Sequence, residues 1–158
     1  MKKIVFYSLI LLFISCKSAK KTILPKEKIK ANFEKIDLIS ASSFQKNRTY
    51  ELGKRMLMTC NTSTFKPFTT EEATPEVIQK ITQDKISMTC HQVLRGFGKF
   101  IDMKLKEVRY NEDTKITLFR YQCEYEKKYR IKELQVYINQ ENKITSITST
   151  DWKDDYQP

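Results

Sequence analysis

Few side chains in this sequence have obvious reactivity: one histidine, four cysteines and a group of tyrosines. His91 follows Cys90 directly. Adjacent residues of a helix point about 100° apart, so the two do not readily share one metal ion. Acid–base sites are marked by pairs of groups whose environments push their pKa values apart. A lone His on a mostly apolar stretch reads first as a packed structural residue. To work as an acid or base it needs a carboxylate in reach, and Asp84, Asp102 and Glu124 are the candidates. No Ser or Cys nucleophile motif, phosphate loop or metal-ligand spacing is present. The sequence therefore assigns no catalytic residue, no metal and no cofactor. Tyr121, Tyr125 and Tyr129, with Phe119, could line a pocket or fill a core. Buried Tyr hydroxyls need partners, which places the three tyrosines, with His91, at the mouth of a polar cavity.

These residues need elements to hold them. Lys99–Tyr110, Lys115–Tyr125, Tyr129–Asn139 and Lys143–Thr150 read as four strands rich in Ile, Thr, Tyr, Phe and Val, joined by short polar links. The links suit antiparallel hairpins. The first strand alternates through Ile101, Met103 and Leu105, then slips to Val108, which predicts a β-bulge near Lys106-Glu107. The third slips between Ile131 and Leu134, predicting a second bend. The second strand presents Phe119, Tyr121, Cys123 and Tyr125 on one face and Arg120, Gln122 and Glu124 on the other.

The helical half lies upstream. Ala31–Ser43 has Phe33, Ile36 and Ile39 at helical spacing but no clear cap. Ser42 or Ser43 can cap a helix over Phe44–Cys60, in which Gly53 predicts a close backbone approach. Phe65 and Phe68 sit in a loop expected to tuck under the core. Thr74-Pro75-Glu76 starts a second helix, Pro75–Arg95, with a possible break near Gln83–Lys85. Gly96 and Gly98 stop it. The fold class is α+β: two N-terminal helices packed on a bent four-stranded antiparallel meander, with the second helix under the concave face. This order of elements, ending in Asn-Lys-Ile-Thr-Ser-Ile (142–147), resembles the NTF2-like, cystatin-like superfamily. The resemblance spans Phe44–Trp152. It implies a cone with a pocket at its wide end and leaves the function open, since members include enzymes, ligand binders and interaction modules.

The first fifteen residues read separately. Lys2-Lys3 precedes an apolar run, 4–14, too short to span a bilayer as a mature helix, and Phe13-Ile14-Ser15-Cys16 closes it. This resembles a bacterial lipoprotein signal peptide with its lipobox, although Phe13 stands where Leu is usual. The resemblance implies a signal peptide over 1–15 and a lipidated Cys16 that holds the mature chain on a bilayer. Lys17, in place of an Asp after that cysteine, implies the outer membrane. An ordinary secretory signal or an uncleaved anchor is the alternative.

The net charge of +10 is concentrated near this end. Between residues 17 and 35 seven Lys face Glu27 and Glu34, a net of +5, while 36–158 hold 20 basic against 17 acidic residues, a net of +3. That divides the chain into a Lys-rich tether, 16–35, and one domain, 36–158. The tether either lies on anionic headgroups or is a solvated spacer. A nearly balanced domain gives no reason to expect nucleic acid.

With Cys16 acylated, Cys60, Cys90 and Cys123 remain. Either Cys60 and Cys90 pair, or all three are buried thiols. The reading is a lipid-anchored, non-enzymatic binding or interaction module of the cell envelope, meeting a small molecule or an envelope protein. A small pocket enzyme using His91 is one alternative. The other is an envelope-assembly accessory protein working through the outer sheet face with Lys104, Arg120 and Lys132.

Overall fold

The computed structural model describes residues 32–157. The expected signal peptide, Cys16 and most of the tether lie outside the described residues. The chain is α+β: a five-stranded antiparallel sheet and three helices. In order these are β1 (Glu34–Ile36), α1 (Ser43–Thr62), α2 (Pro75–Lys80), α3 (Gln83–Phe97), β2 (Phe100–Asn111), β3 (Ile116–Tyr125), β4 (Lys132–Ile138) and β5 (Ile144–Asp151). The sheet order follows the chain order.

The four expected strands are β2 to β5, and the stretch without a clear cap supplies a fifth. Glu34–Ile36 pairs with Val108–Tyr110, so the last residues assigned to the tether belong to the sheet. Pairing of β2 with β3 shifts between Leu105 and Glu107, at the predicted bulge, and again between Phe100 and Asp102. The second predicted bend is not a bulge. β4 begins only at Lys132, and Tyr129 and Ile131 belong to the preceding connection. The irregularity further along sits between Tyr137 and Ile138, where Thr145 of β5 is left without an opposite residue.

α1, not the helix after Pro75, lies against the sheet. Ser42 caps it, its hydroxyl accepting from the Gln45 N–H at 3.4 Å. Thr49, Leu52, Gly53 and Thr59 are its buried residues, and at Gly53 the helix meets Met103, Leu134 and Val136. A Cβ on Gly53 would stand 2.7 Å from Leu134 Cδ2 and 3.0 Å from Met103 Cε. The close approach is therefore to side chains of the sheet rather than to another backbone.

The single helix expected from Pro75 is two. Ile81 leaves helical geometry at φ −102°, ψ 85°, and α3 restarts at Gln83. α3 has no fully buried residue and packs on the outside of α1. α2 is held at the sheet edge by the strip before it. There the Thr74 N–H donates to Ile144 O and the Ile144 N–H to Glu72 O, each at 2.9 Å. Among the described residues no helix is long and apolar enough to cross a membrane.

Glu72 also ties this loop to α1. Arg55 donates both ends of its guanidinium to the Glu72 carboxylate at 2.8 and 2.7 Å, and the Thr69 N–H adds a third bond at 3.0 Å. The hydrogen bonds from Arg55 hold the Glu72 carboxyl at about 2, far below its ordinary value of 4.5. A depressed folded-state pKa gives stability that is present above about pH 4.5 and lost as pH falls through 2. Glu72→Gln should cost roughly 1–2 kcal/mol at neutral pH. In urea titrations the gap to wild type should close between pH 4.5 and 2. A gap unchanged down to pH 2 would mean that the carboxylate charge contributes nothing.

Candidate functional site

A depression of about 750 Å³ in the described surface is bordered by β2, β3, the start of α1 and the β3–β4 connection. β1 covers only Val108–Tyr110, so among the described residues no strand pairs with the outer side of β2 from Phe100 to Lys106. Consecutive residues Asp102–Leu105 and Tyr121–Tyr125 border the depression. α1 contributes Lys46, Asn47 and Tyr50, and the β3–β4 connection contributes Lys127, Lys128, Arg130 and Ile131.

Two of the tyrosines expected at a pocket border this depression, but they are built into its floor. Tyr121 is 1% exposed, shares a 2.7 Å hydrogen bond with the Thr49 hydroxyl and donates to Lys46 O at 3.2 Å. The first turns of α1 satisfy it completely. Tyr125 is 5% exposed and packs on the rings of Phe97 and Phe100. Burial raises both phenol pKa values. Tyr129 is elsewhere: its ring is exposed, and its hydroxyl donates to Gly96 O at the end of α3. The three hydroxyls do not gather at one mouth.

His91 does not border the depression either. It is exposed on α3, which lies outside α1. Asp84 is exposed on the first turn of the same helix. Asp102 is engaged by the Tyr50 hydroxyl at 2.7 Å and Lys54 at 3.2 Å, and the Tyr50 bond is the main reason its pKa is lowered. Glu124 faces Lys128 at 3.6 Å. None of the three carboxylates is hydrogen-bonded to His91.

A disulfide joins Cys60, near the end of α1, to Cys90 in the middle of α3, one of the two arrangements the sequence left open. Cys123 is a buried free thiol whose pKa burial pushes up to about 12. No group of three or more His, Cys, Asp or Glu side chains comes together among the described residues in a way that could hold a metal ion.

The opposite sheet face carries the feature that sequence reasoning missed. Arg120, expected as an outer-face cation, is 1% exposed. Its guanidinium donates to Glu133 twice, at 2.9 and 2.8 Å, to Glu107, and to Lys153 O at 2.8 Å. The rings of Trp152 and Tyr156 lie over it, 4.9 and 5.6 Å from the guanidinium carbon. Phe33 meets Tyr137 and Tyr156 beside them. The chain entering β1 and the tail after β5 thus roof one end of this face. Lys104 is exposed, and Lys132 pairs with Asp151 at 3.1 Å. Glu107 lies directly opposite Arg120, and Glu133 lies two residues along β4 from Gln135, the residue opposite Arg120, so strand alternation puts all three on one face.

Comparison with protein-family models, with curated proteins and with solved structures finds no match to this chain.

Proposed function

We propose that this chain is a lipid-anchored protein of the cell envelope, held through an acylated Cys16, whose folded part is a non-enzymatic binding or interaction module of NTF2-like, cystatin-like type. The observation that carries the reading is the Cys60–Cys90 disulfide. Structural disulfides belong to oxidising compartments. A crosslinked domain therefore agrees with an N-terminus that reads as an export signal with a lipobox. The outer membrane remains the preferred address.

Binding is favoured over turnover because the only histidine stands exposed on α3, outside the depression and without a carboxylate partner among the described residues. The pocket-enzyme alternative would need another acid or base. An assembly role through the outer sheet face has less room than the sequence implied, since Arg120 is buried under Trp152 and Tyr156.

Metabolic labelling with a fatty-acid probe tests the anchor. Wild type should incorporate the probe and sediment with membranes. Cys16→Ser should lose nearly all label and leave the membrane fraction. Equal labelling of the two proteins would refute acylation at Cys16.

A further inference from the structure

The geometry points to the depression at the open edge of β2 as a binding site for a single-chain amphiphilic anion, an aliphatic carboxylate. This rests on the reading of the folded part as a binding module and names its ligand class. Met103 and Leu105 of β2, with the largely buried Tyr121 and Tyr125 of β3, are its apolar lining residues. Ile131 borders it while 47% exposed and adds apolar surface to its rim. The volume of about 750 Å³ lies within the range of small-molecule sites.

Charge supplies the other half. Five cations border the depression, Lys46, Lys104, Lys127, Lys128 and Arg130, against two acids, Asp102 and Glu124. Both acids are engaged, Asp102 by Lys54 and Glu124 by Lys128, and Arg130 is engaged by Asp151 at 2.6 Å. Lys46, Lys104 and Lys127 have no carboxylate partner among the described residues; Lys46 and Lys127 donate only to the backbone carbonyls of Leu38 and Arg95. Apolar lining residues bordered by lysines without carboxylate partners fit a ligand with an apolar body and an anionic end. A small inorganic anion would leave the apolar lining wet, and a neutral lipid would leave the lysines unused.

Calorimetric titration of the full chain carrying Cys16→Ser with decanoate tests this, with 1-decanol and acetate as comparisons. Decanoate should bind one to one. Decanol and acetate should each bind at least tenfold more weakly. Lys104→Glu with Lys127→Glu should weaken decanoate at least tenfold at an unchanged melting temperature. If that variant melts lower, the Lys104→Gln, Lys127→Gln pair at wild-type melting temperature decides by the same criterion. No decanoate binding, equal binding of decanol or acetate, or indifference to the lysine changes would each overturn the assignment. Labelling of Cys16 together with absent decanoate binding would remove this site and leave the anchored-module reading standing.

Discussion

Arg120→Met is expected to destabilise the protein by about 3–5 kcal/mol, because it leaves the buried Glu133 carboxylate without a cation and takes one of two cations from Glu107. The side chains of Glu107 and Glu133 are 9% and 2% exposed, and Arg120 is the cation they share. Arg109 reaches Glu107 at 2.7 Å and Gln135 reaches Glu133 at 2.6 Å, but Gln135 carries no charge. Glu133 would be left ionised in a dry site or forced to take up a proton. For a domain of this size the melting temperature should fall by on the order of 10 °C or more. Arg120→Lys should recover little, since an ammonium cannot make the paired contact to Glu133 and lacks the flat face against Trp152.

The informative control replaces the whole cluster. Arg120→Met combined with Glu107→Leu and Glu133→Leu removes the three buried charges, leaves the partly exposed Arg109 on Phe33 O and the Tyr156 ring, and should regain most of the lost stability. Chemical denaturation of the three proteins separates the outcomes. An Arg120→Met variant within about 1 kcal/mol of wild type would mean that water reaches the carboxylates and that the roof of Trp152 and Tyr156 is open in solution.

That cluster also shows where sequence reading stopped. Strands β2 to β5, their turns and the bulge before Glu107 were legible, because period-two alternation breaks visibly when one residue is extra. β1 was not, since three residues, Glu34-Lys35-Ile36, are too few to show any period, and their pairing is decided by the partner strand. The helix under the sheet was misassigned. The Pro75 start signal is local and strong, whereas what puts α1 against the sheet is Gly53 facing Leu134 and Met103, a match between distant residues. Arg120 looked like a surface cation because strand alternation puts it opposite the aromatic face. Alternation separates two faces; it does not say whether the second is wet. Here Phe33, Trp152 and Tyr156, far apart in the chain, dry it. The tyrosines failed for the same reason. Tyr121 needed a hydroxyl partner, and Thr49, 72 residues earlier, supplied it inside the core instead of at a cavity mouth.

Removing the disulfide should have the second large effect. Cys60 and Cys90 close a 30-residue loop, which the chain-entropy model values at about 3.5 kcal/mol. Cys60→Ala with Cys90→Ala should lose stability of that order, and the loss should be uneven. α3 buries no residue fully and packs chiefly on the outside of α1, with only its last turn, Arg95–Phe97, reaching β3 and the connection after it. Few contacts other than the crosslink keep it there, so it should open before the sheet does. Amides of Met88–Leu94 should exchange with solvent much faster in the variant. Those of β3, in the middle of the sheet, should change only through the global term. Cys123 should take no part. Its thiol is buried and its pKa is pushed up to about 12, so almost none of it is thiolate, the form that attacks a disulfide. Peptide mapping of the native protein without reductant should therefore recover the Cys60–Cys90 crosslink and an unmodified Cys123. A variant with wild-type stability and unchanged α3 exchange would show that α1 holds α3 by packing alone, and the disulfide would then be a mark of the compartment and not a support of the fold.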